Sequence, residues 1–214
     1  MKITYLGHSC FLLQSKDGVR VLTDPYTKVG YELPERIRAD IVTVSHGHFD
    51  HNYLAAVESG AKILNQAGAY NVCGLSFIGQ ESDHDPVGGK MRGKNIIFKT
   101  EIDGVVVCHL GDLGEELSAQ ILRKIDKVDV LLLPVGGTYT IDAAQAKAYV
   151  AAIHPKIVIP MHYRPTDGTL DIATEKAFLE GYEVIRPFEK YQTEIEKDGL
   201  KTEETQIIFL ERKK

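Results

Sequence analysis

Ile41-Val42-Thr43-Val44-Ser45-His46-Gly47-His48-Phe49-Asp50-His51 is the stretch whose reading decides the fold. Its apolar run, 41–44, reads as a buried strand. The strand feeds at once into three imidazoles and a carboxylate at H-x-H-x-D-H spacing. A strand that delivers four such side chains into one short loop is the arrangement of a metal site. Imidazole suits zinc, iron and other first-row metals, and a carboxylate completes or bridges the shell. A polar turn that is His-rich by coincidence is the alternative, and the rarity of the spacing stands against it.

The rest of the chain is an ordinary globular background for that cluster. Its 214 residues, 43% hydrophobic and 26% charged, predict one domain over 1–214 and leave no case for disorder. A net charge of -5 argues against a general nucleic-acid binder. The chain opens as a strand, with no long apolar segment, so neither a leader nor a membrane partner is expected. Cys10, Cys73 and Cys108 show no framework spacing. They suit a reducing, cytoplasmic setting, with Cys10 and Cys108 as small buried hydrophobes in strands.

Outward from 41–51, short strands are predicted at 3–6, 10–14 and 19–22, with Ser15-Lys16-Asp17-Gly18 as a hairpin turn. Residues 26–38 read as an irregular connection. Asn52 is expected to cap a short helix carrying Leu54, Ala55 and Val57. Strands follow at 62–64 and 75–78, then a Gly-rich loop over 80–94. A hairpin at 95–100 and 105–109 turns at Asp103-Gly104. Helices are expected at 118–125, at 143–153 behind an Asp142 cap, and near 174–180. Continuous apolar runs at 130–133 and 157–159 suit strands covered on both faces. The tail adds 182–185 and a strand near 205–210. Hairpins followed by alternating strands and helices, twice over, predict two sheets packed face to face with helices outside.

More candidate ligands sit where predicted strands end. His162 follows Ile159-Pro160-Met161. Asp112 follows 105–109, with Gly111 freeing the backbone to turn it inward. His84 lies in the acidic loop Glu81-Ser82-Asp83-His84-Asp85, and His8 follows Gly7. Loops at strand ends are where a rigid sheet can aim several side chains at one point.

On these residues the chain resembles the metallo-β-lactamase superfamily, whose motifs fall on it in order. Asp24 matches the aspartate after an early strand, and His46, His48, Asp50 and His51 match H-x-H-x-D-H. His84, Asp112 and His162 match the remaining ligands. The resemblance implies an α/β (α+β) fold, a four-layer αββα sandwich with the site along one sheet edge. It implies two divalent metal ions, with zinc expected and Mn, Ni or Fe also suited. His46, His48 and His84 would hold the first, Asp50, His51 and His162 the second. Asp112 would bridge them together with a hydroxide. Asp24 would orient a ligand histidine, or else simply form the turn before Pro25.

Within the superfamily, Gly7-His8-Ser9-Cys10, His109-Leu110-Gly111-Asp112, Val135-Gly136-Gly137-Thr138-Tyr139-Thr140 and Pro160-Met161-His162-Tyr163 look like a branch of metal-dependent hydrolases. That branch is related to an ascorbate-pathway lactonase and, further off, to a phospholipase D acting on acylethanolamine lipids. Asp112 stands where the commonest zinc β-lactamases carry cysteine, so antibiotic hydrolysis is not expected. His48 stands where flavo-diiron proteins carry glutamate, which removes the redox reading. An H-T-P-G-H-type loop of the glutathione thioesterases is absent.

The expected activity is therefore hydrolysis of an ester- or lactone-like small molecule, with Asp50 or Asp112 orienting the attacking water or taking its proton. Phosphodiester cleavage is the rival enzyme reading, and a metal-loaded ligand-binding scaffold the non-catalytic one. His109 either touches substrate or supports a ligand from behind, and His8 is a candidate pocket residue. Tyr139 and Tyr163, with Thr138, border the site loops, where a phenol could meet an oxyanion or merely pack. His154, before Pro155, reads as a structural helix end. Gly88-Gly89-Lys90-Met91-Arg92-Gly93-Lys94 nearly spells a phosphate-binding loop but lacks the Ser/Thr and the following helix. Lys90, Arg92 and Lys94 are left as a solvated hairpin face or a contact for an anionic substrate.

Overall fold

Alternate residues of the first strands pack into two different apolar layers. Ile3, Tyr5, Phe11, Leu13, Val21 and Ile41 join one buried cluster, whereas Leu6, Cys10, Leu22, Val42 and Val44 join another. That period of two is the mark of a sheet covered on both faces. The computed structural model describes residues 1–201 and 203–213.

The first sheet contains β1 (Lys2–Gly7), β2 (Cys10–Gln14), β3 (Arg20–Thr23), β4 (Ile41–Thr43) and β5 (Lys62–Leu64) in that order. The second begins with β6 (Gly68–Val72), β7 (Leu75–Asp83), β8 (Lys94–Ile102) and β9 (Val105–His109) as antiparallel neighbours. It continues in parallel through β10 (Val130–Pro134) and β11 (Ile157–Met161). Two edges are completed late in the chain. β12 (Val184–Ile185) reaches β11 through β14 (Gln206–Ile208), and β13 (Gln192–Glu194) returns to pair with β1.

Residues of both sheets share the larger cluster, so the sheets face each other across one core. α1 (Ala119–Ile125), α2 (Ala143–Ile153) and α3 (Lys176–Leu179) pack on the second sheet, and their Ile121, Ile125, Ala146, Tyr149, Val150 and Phe178 are members of the same buried cluster. All five residues of β10 and of β11 are buried, as strands between two layers require. On the far side of the first sheet the cover is mainly the connection between β3 and β4, including Tyr26, Val29, Tyr31 and Ile37.

Several local expectations shift. Asn52 caps nothing: a single 3-10 turn, Leu54–Ala56, follows Tyr53 with no side-chain cap. The loop placed at 80–94 shrinks, because β7 runs on to Asp83, opposite Lys94 of β8. The expected strand at 75–78 is only its first half. α2 is as read, with Asp142 Oδ1 accepting from the Gln145 amide at 2.9 Å and Gln145 Oε1 accepting from the Asp142 amide at 3.0 Å. It ends at His154, whose φ of 51° stops the helix. Cys10 and Cys108 are buried and all three cysteines are free. Among the described residues no helix is long and apolar enough to cross a membrane.

This topology positions the site. β3 and β4 run parallel in one sheet, and β9, β10 and β11 run parallel in the other. Their carboxyl ends release Asp24, residues 45–51, Asp112, residues 136–141 and His162. The sheets are stitched there by backbone hydrogen bonds, His162 N–H to His8 O at 2.9 Å and Ile96 N–H to Ser45 O at 2.9 Å.

Candidate metal centre

Three groups of donor atoms lie within 4.8 Å of one another: His46, His48 and His84; His46, His51 and Asp112; His8, Asp50, His51 and His162. Shared members join them into one continuous cluster. Every ligand expected from the sequence is in it, and His8 joins them. Asp112 sits at the middle. Its carboxylate oxygens lie 3.1 Å from His51 Nε2, 3.2 Å from His162 Nε2, 3.4 Å from His84 Nε2 and 3.9 Å from His46 Nε2.

The hydrogen bonds behind the rings decide what the front nitrogens can do. His51 Nδ1 meets Asp24 Oδ2 at 2.8 Å, His46 Nδ1 meets Ser45 Oγ at 2.9 Å, and His84 Nδ1 meets the Tyr139 carbonyl at 3.0 Å. A carboxylate and a carbonyl only accept. The Ser45 hydroxyl donates to Asp24 Oδ2 at 2.6 Å, so its lone pair is left to accept from His46. All three imidazoles thus carry their proton on Nδ1 when neutral and present a lone pair at Nε2. Those of His46 and His51 make no hydrogen bond, nor do Asp112 Oδ1 and both ring nitrogens of His162, although all are buried. Unpaired buried lone pairs converging on one point are what a cation requires and what a folded core otherwise avoids.

Charge and burial act unequally across the cluster. Burial, then the nearby His51, holds His46 down to about 3, and burial with His162 holds His8 down to about 4. Burial would lower His51 as well, but Asp112 and Asp24 outweigh it and raise it. Burial opposes ionisation of Asp112, yet His162 and His51 hold it well below the usual carboxylate range. Asp50 is likewise lowered, by His8 and His51 against its burial. The backbone is strained at the same place: His8, Asp24, Thr138 and His162 have φ of 54°, 37°, 60° and 50°. Such residues cost about 1–3 kcal/mol each and cluster at functional sites.

Residues 2–162 match the profile of the beta-lactamase superfamily domain. The chain belongs to the metallo-β-lactamase superfamily. Curated relatives are named metal-dependent hydrolases. One, from Carboxydothermus hydrogenoformans, is 31% identical over 76% of this chain and 84% of its own length. Another, from Archaeoglobus fulgidus, is 32% identical over 76% and 83%. A solved structure described as a candidate zinc-dependent hydrolase of the same superfamily, from Thermotoga maritima, superposes with a TM-score of 0.77 at 34% identity, covering 98% of this chain and 99% of that one. These matches make the chain one of the metal-dependent hydrolases of the metallo-β-lactamase superfamily.

In this metallo-β-lactamase fold the surrounding residues divide clearly. Asp24 is buried behind the cluster and accepts the Ser45 amide at 2.8 Å as well as the bonds already described, so it orients His51 directly and His46 through Ser45. His8 faces Asp50 Oδ2 at 3.3 Å. His109 points away from the opening: it bonds the Ser9 carbonyl through Nε2 at 2.8 Å and accepts the Gly111 amide on Nδ1 at 3.1 Å. It supports the turn into Asp112 rather than meeting substrate. The Tyr163 hydroxyl donates to the Leu210 carbonyl at 3.2 Å and its ring packs on Tyr5 and Phe209, so it is wall, not oxyanion donor.

Three supports escaped the sequence reading. Ser45 was only the residue before His46, Asn95 only a strand residue, and the Tyr139 contribution is a carbonyl that no motif displays. Asn95 Oδ1 accepts the Asp112 amide at 2.9 Å while its Nδ2 donates to Ser82 Oγ and the Leu110 carbonyl. The one usable signal was the parallel pair β3–β4, which must release Asp24 and Ser45 side by side. A cleft of about 740 Å³ lies elsewhere, lined by Tyr31, Tyr163, Arg164 and Arg212, and none of the cluster donors opens into it.

Proposed function

We propose that the protein hydrolyses an ester- or lactone-like small molecule with two divalent metal ions, zinc being the best fit to this all-imidazole-and-carboxylate set. The observation that carries it is the convergence of unpaired Nε2 lone pairs around the Asp112 carboxylate. His46, His48 and His84 would hold one ion, Asp50, His51 and His162 the other, with Asp112 between them. Bound there, such a pair acidifies water to supply a nucleophile near neutral pH and neutralises negative charge developing on an attacked carbonyl.

The chain's own side chains prepare that chemistry. Asp24 and Ser45 fix the tautomers of His51 and His46. Tyr139 does the same for His84. Asp50 is the cluster carboxylate nearest solvent, its side chain 13% exposed against 3% for Asp112, so its Oδ2 is placed to orient a water and accept its proton. His8 Nε2 lies beside that oxygen, 3.3 Å away.

Metal content of the native protein by mass spectrometry, followed by turnover of γ-butyrolactone, a simple thioester and a phosphodiester, tests the proposal. Two equivalents of zinc with lactone or ester turnover are expected. Phosphodiester turnover alone, or full activity in metal-free protein, would overturn it.

A further inference from the structure

The loop between β7 and β8 and the first residue of β8 carry three cations that the hydrolytic reading leaves unused, and the structure treats them differently. Lys94 is held by Asp83 at 2.5 Å, and Lys90 is exposed. Arg92 is half-buried, and among the described residues no carboxylate pairs with its guanidinium. It lies instead over the Tyr139 ring, 5.6 Å from the centroid. Tyr139 is the residue whose carbonyl holds His84, so the stacked guanidinium belongs to the wall of the metal cluster.

The loop that presents Arg92 is rigid. Asp85, buried, accepts four backbone amides: Val87 and Gly89 on Oδ1, at 3.0 and 2.9 Å, and Met91 and Arg92 on Oδ2, both at 2.8 Å. A guanidinium partly withdrawn from water, fixed on a tied loop and given no carboxylate is poised for an anion from outside. Phe49 between His48 and Asp50, Val87 and Met91 in the loop after His84, and Tyr139 under the guanidinium all expose apolar surface.

We propose that Arg92 is the anion-recognition residue of this site, so that the substrate carries a carboxylate or phosphate away from the bond that is cleaved. The proposal rests on the hydrolytic site being where substrate binds, and it deepens that reading by naming a substrate class. A fork of N–H donors over an aromatic face suits either oxyanion.

The test is binding, not turnover. Cyclopentanecarboxylate, cyclopentyl phosphate and the neutral cyclopentanecarboxamide are titrated into zinc-loaded protein and followed by ligand-observed NMR. At least one anion should bind about tenfold or more tighter than the amide. Which one does so separates a carboxylated from a phosphorylated substrate. Arg92→Ala should erase the preference, and Arg92→Lys should keep part of it. Arg92→Met, which preserves packing on Tyr139, guards against a loop that no longer folds. Equal binding of all three probes by the wild type overturns the proposal. So does a preference that survives Arg92→Ala and Arg92→Met, since the ions alone would then hold the anion. Absence of lactone turnover bears on the hydrolytic reading and leaves these titrations interpretable.

Discussion

Asp24 and His51 form a buried carboxylate–imidazole pair, Oδ2 to Nδ1 2.8 Å, at the junction of two parallel strands. The same oxygen takes the Ser45 hydroxyl, so one carboxylate sets two neighbouring imidazoles. Loss of such a support usually lowers metal affinity about 10–100-fold. Asp24→Ala should therefore weaken zinc binding by that factor, measured by competition with a chelator. Ser45→Ala, which touches only His46 among the imidazoles, should do less. Wild-type affinity in Asp24→Ala would show that the pair is merely structural.

Asp112 is surrounded by four imidazole nitrogens, the nearest at 3.1 Å. Asp112→Asn keeps the shape and removes the charge between the proposed ions. Metal content should fall below two equivalents and turnover should drop by a factor of about 100 or more, the scale on which positioned charge acts in such sites. A variant that keeps both equivalents and its activity would remove Asp112 from the centre.

Much of this was legible in the residues because it is dictated locally. The runs of β10 and β11 announce strands covered on both faces, and Asp142 before an alanine-rich run announces a helix start. The donors are legible because imidazoles directly after buried strands have few other uses. What could not be read depends on partners distant in sequence. β6, Gly-Ala-Tyr-Asn-Val, is largely exposed and has no apolar rhythm; only its pairing with β7 makes it a strand. β13 exists because β1 offers it an edge. Asn95 could not be recognised as the clamp on Asp112 until β8 and β9 were placed side by side.

Gly111 makes the turn that brings Asp112 inward. Its φ is +54°, and a Cβ there would lie 2.2 Å from Asn95 Oδ1 and 2.6 Å from Ser45 Cβ. Gly111→Ala should lose about 2–4 kcal/mol, from the left-handed backbone plus the clash. It should also displace the Asn95 clamp and lower metal content. Gly74 provides the control: its φ is +77° with nothing within 4 Å of an added Cβ. Gly74→Ala should lose only about 1 kcal/mol. Thermal melts of the two variants compare them directly, and equal losses would mean that the close approach at Gly111 relaxes freely.

Asp85 makes the loop behind Arg92 sensitive to acid. Burial alone would raise its pKa, but the amides of Arg92, Met91, Val87 and Gly89 outweigh that and bring it down to about 2. A carboxylate with a folded pKa below its unfolded value of about 3.9 stabilises the fold at all higher pH. That contribution fades as pH falls through the folded value. Asp85→Asn keeps one acceptor oxygen for four amides, so it should melt below the wild type at pH 7. The gap should narrow between about pH 4 and pH 2, where the wild-type carboxylate itself becomes protonated. Hydrogen exchange at the Val87, Gly89, Met91 and Arg92 amides should rise in the variant and locate the loss in this loop. A melting gap of constant size across that range would mean that the four bonds stabilise through shape rather than charge.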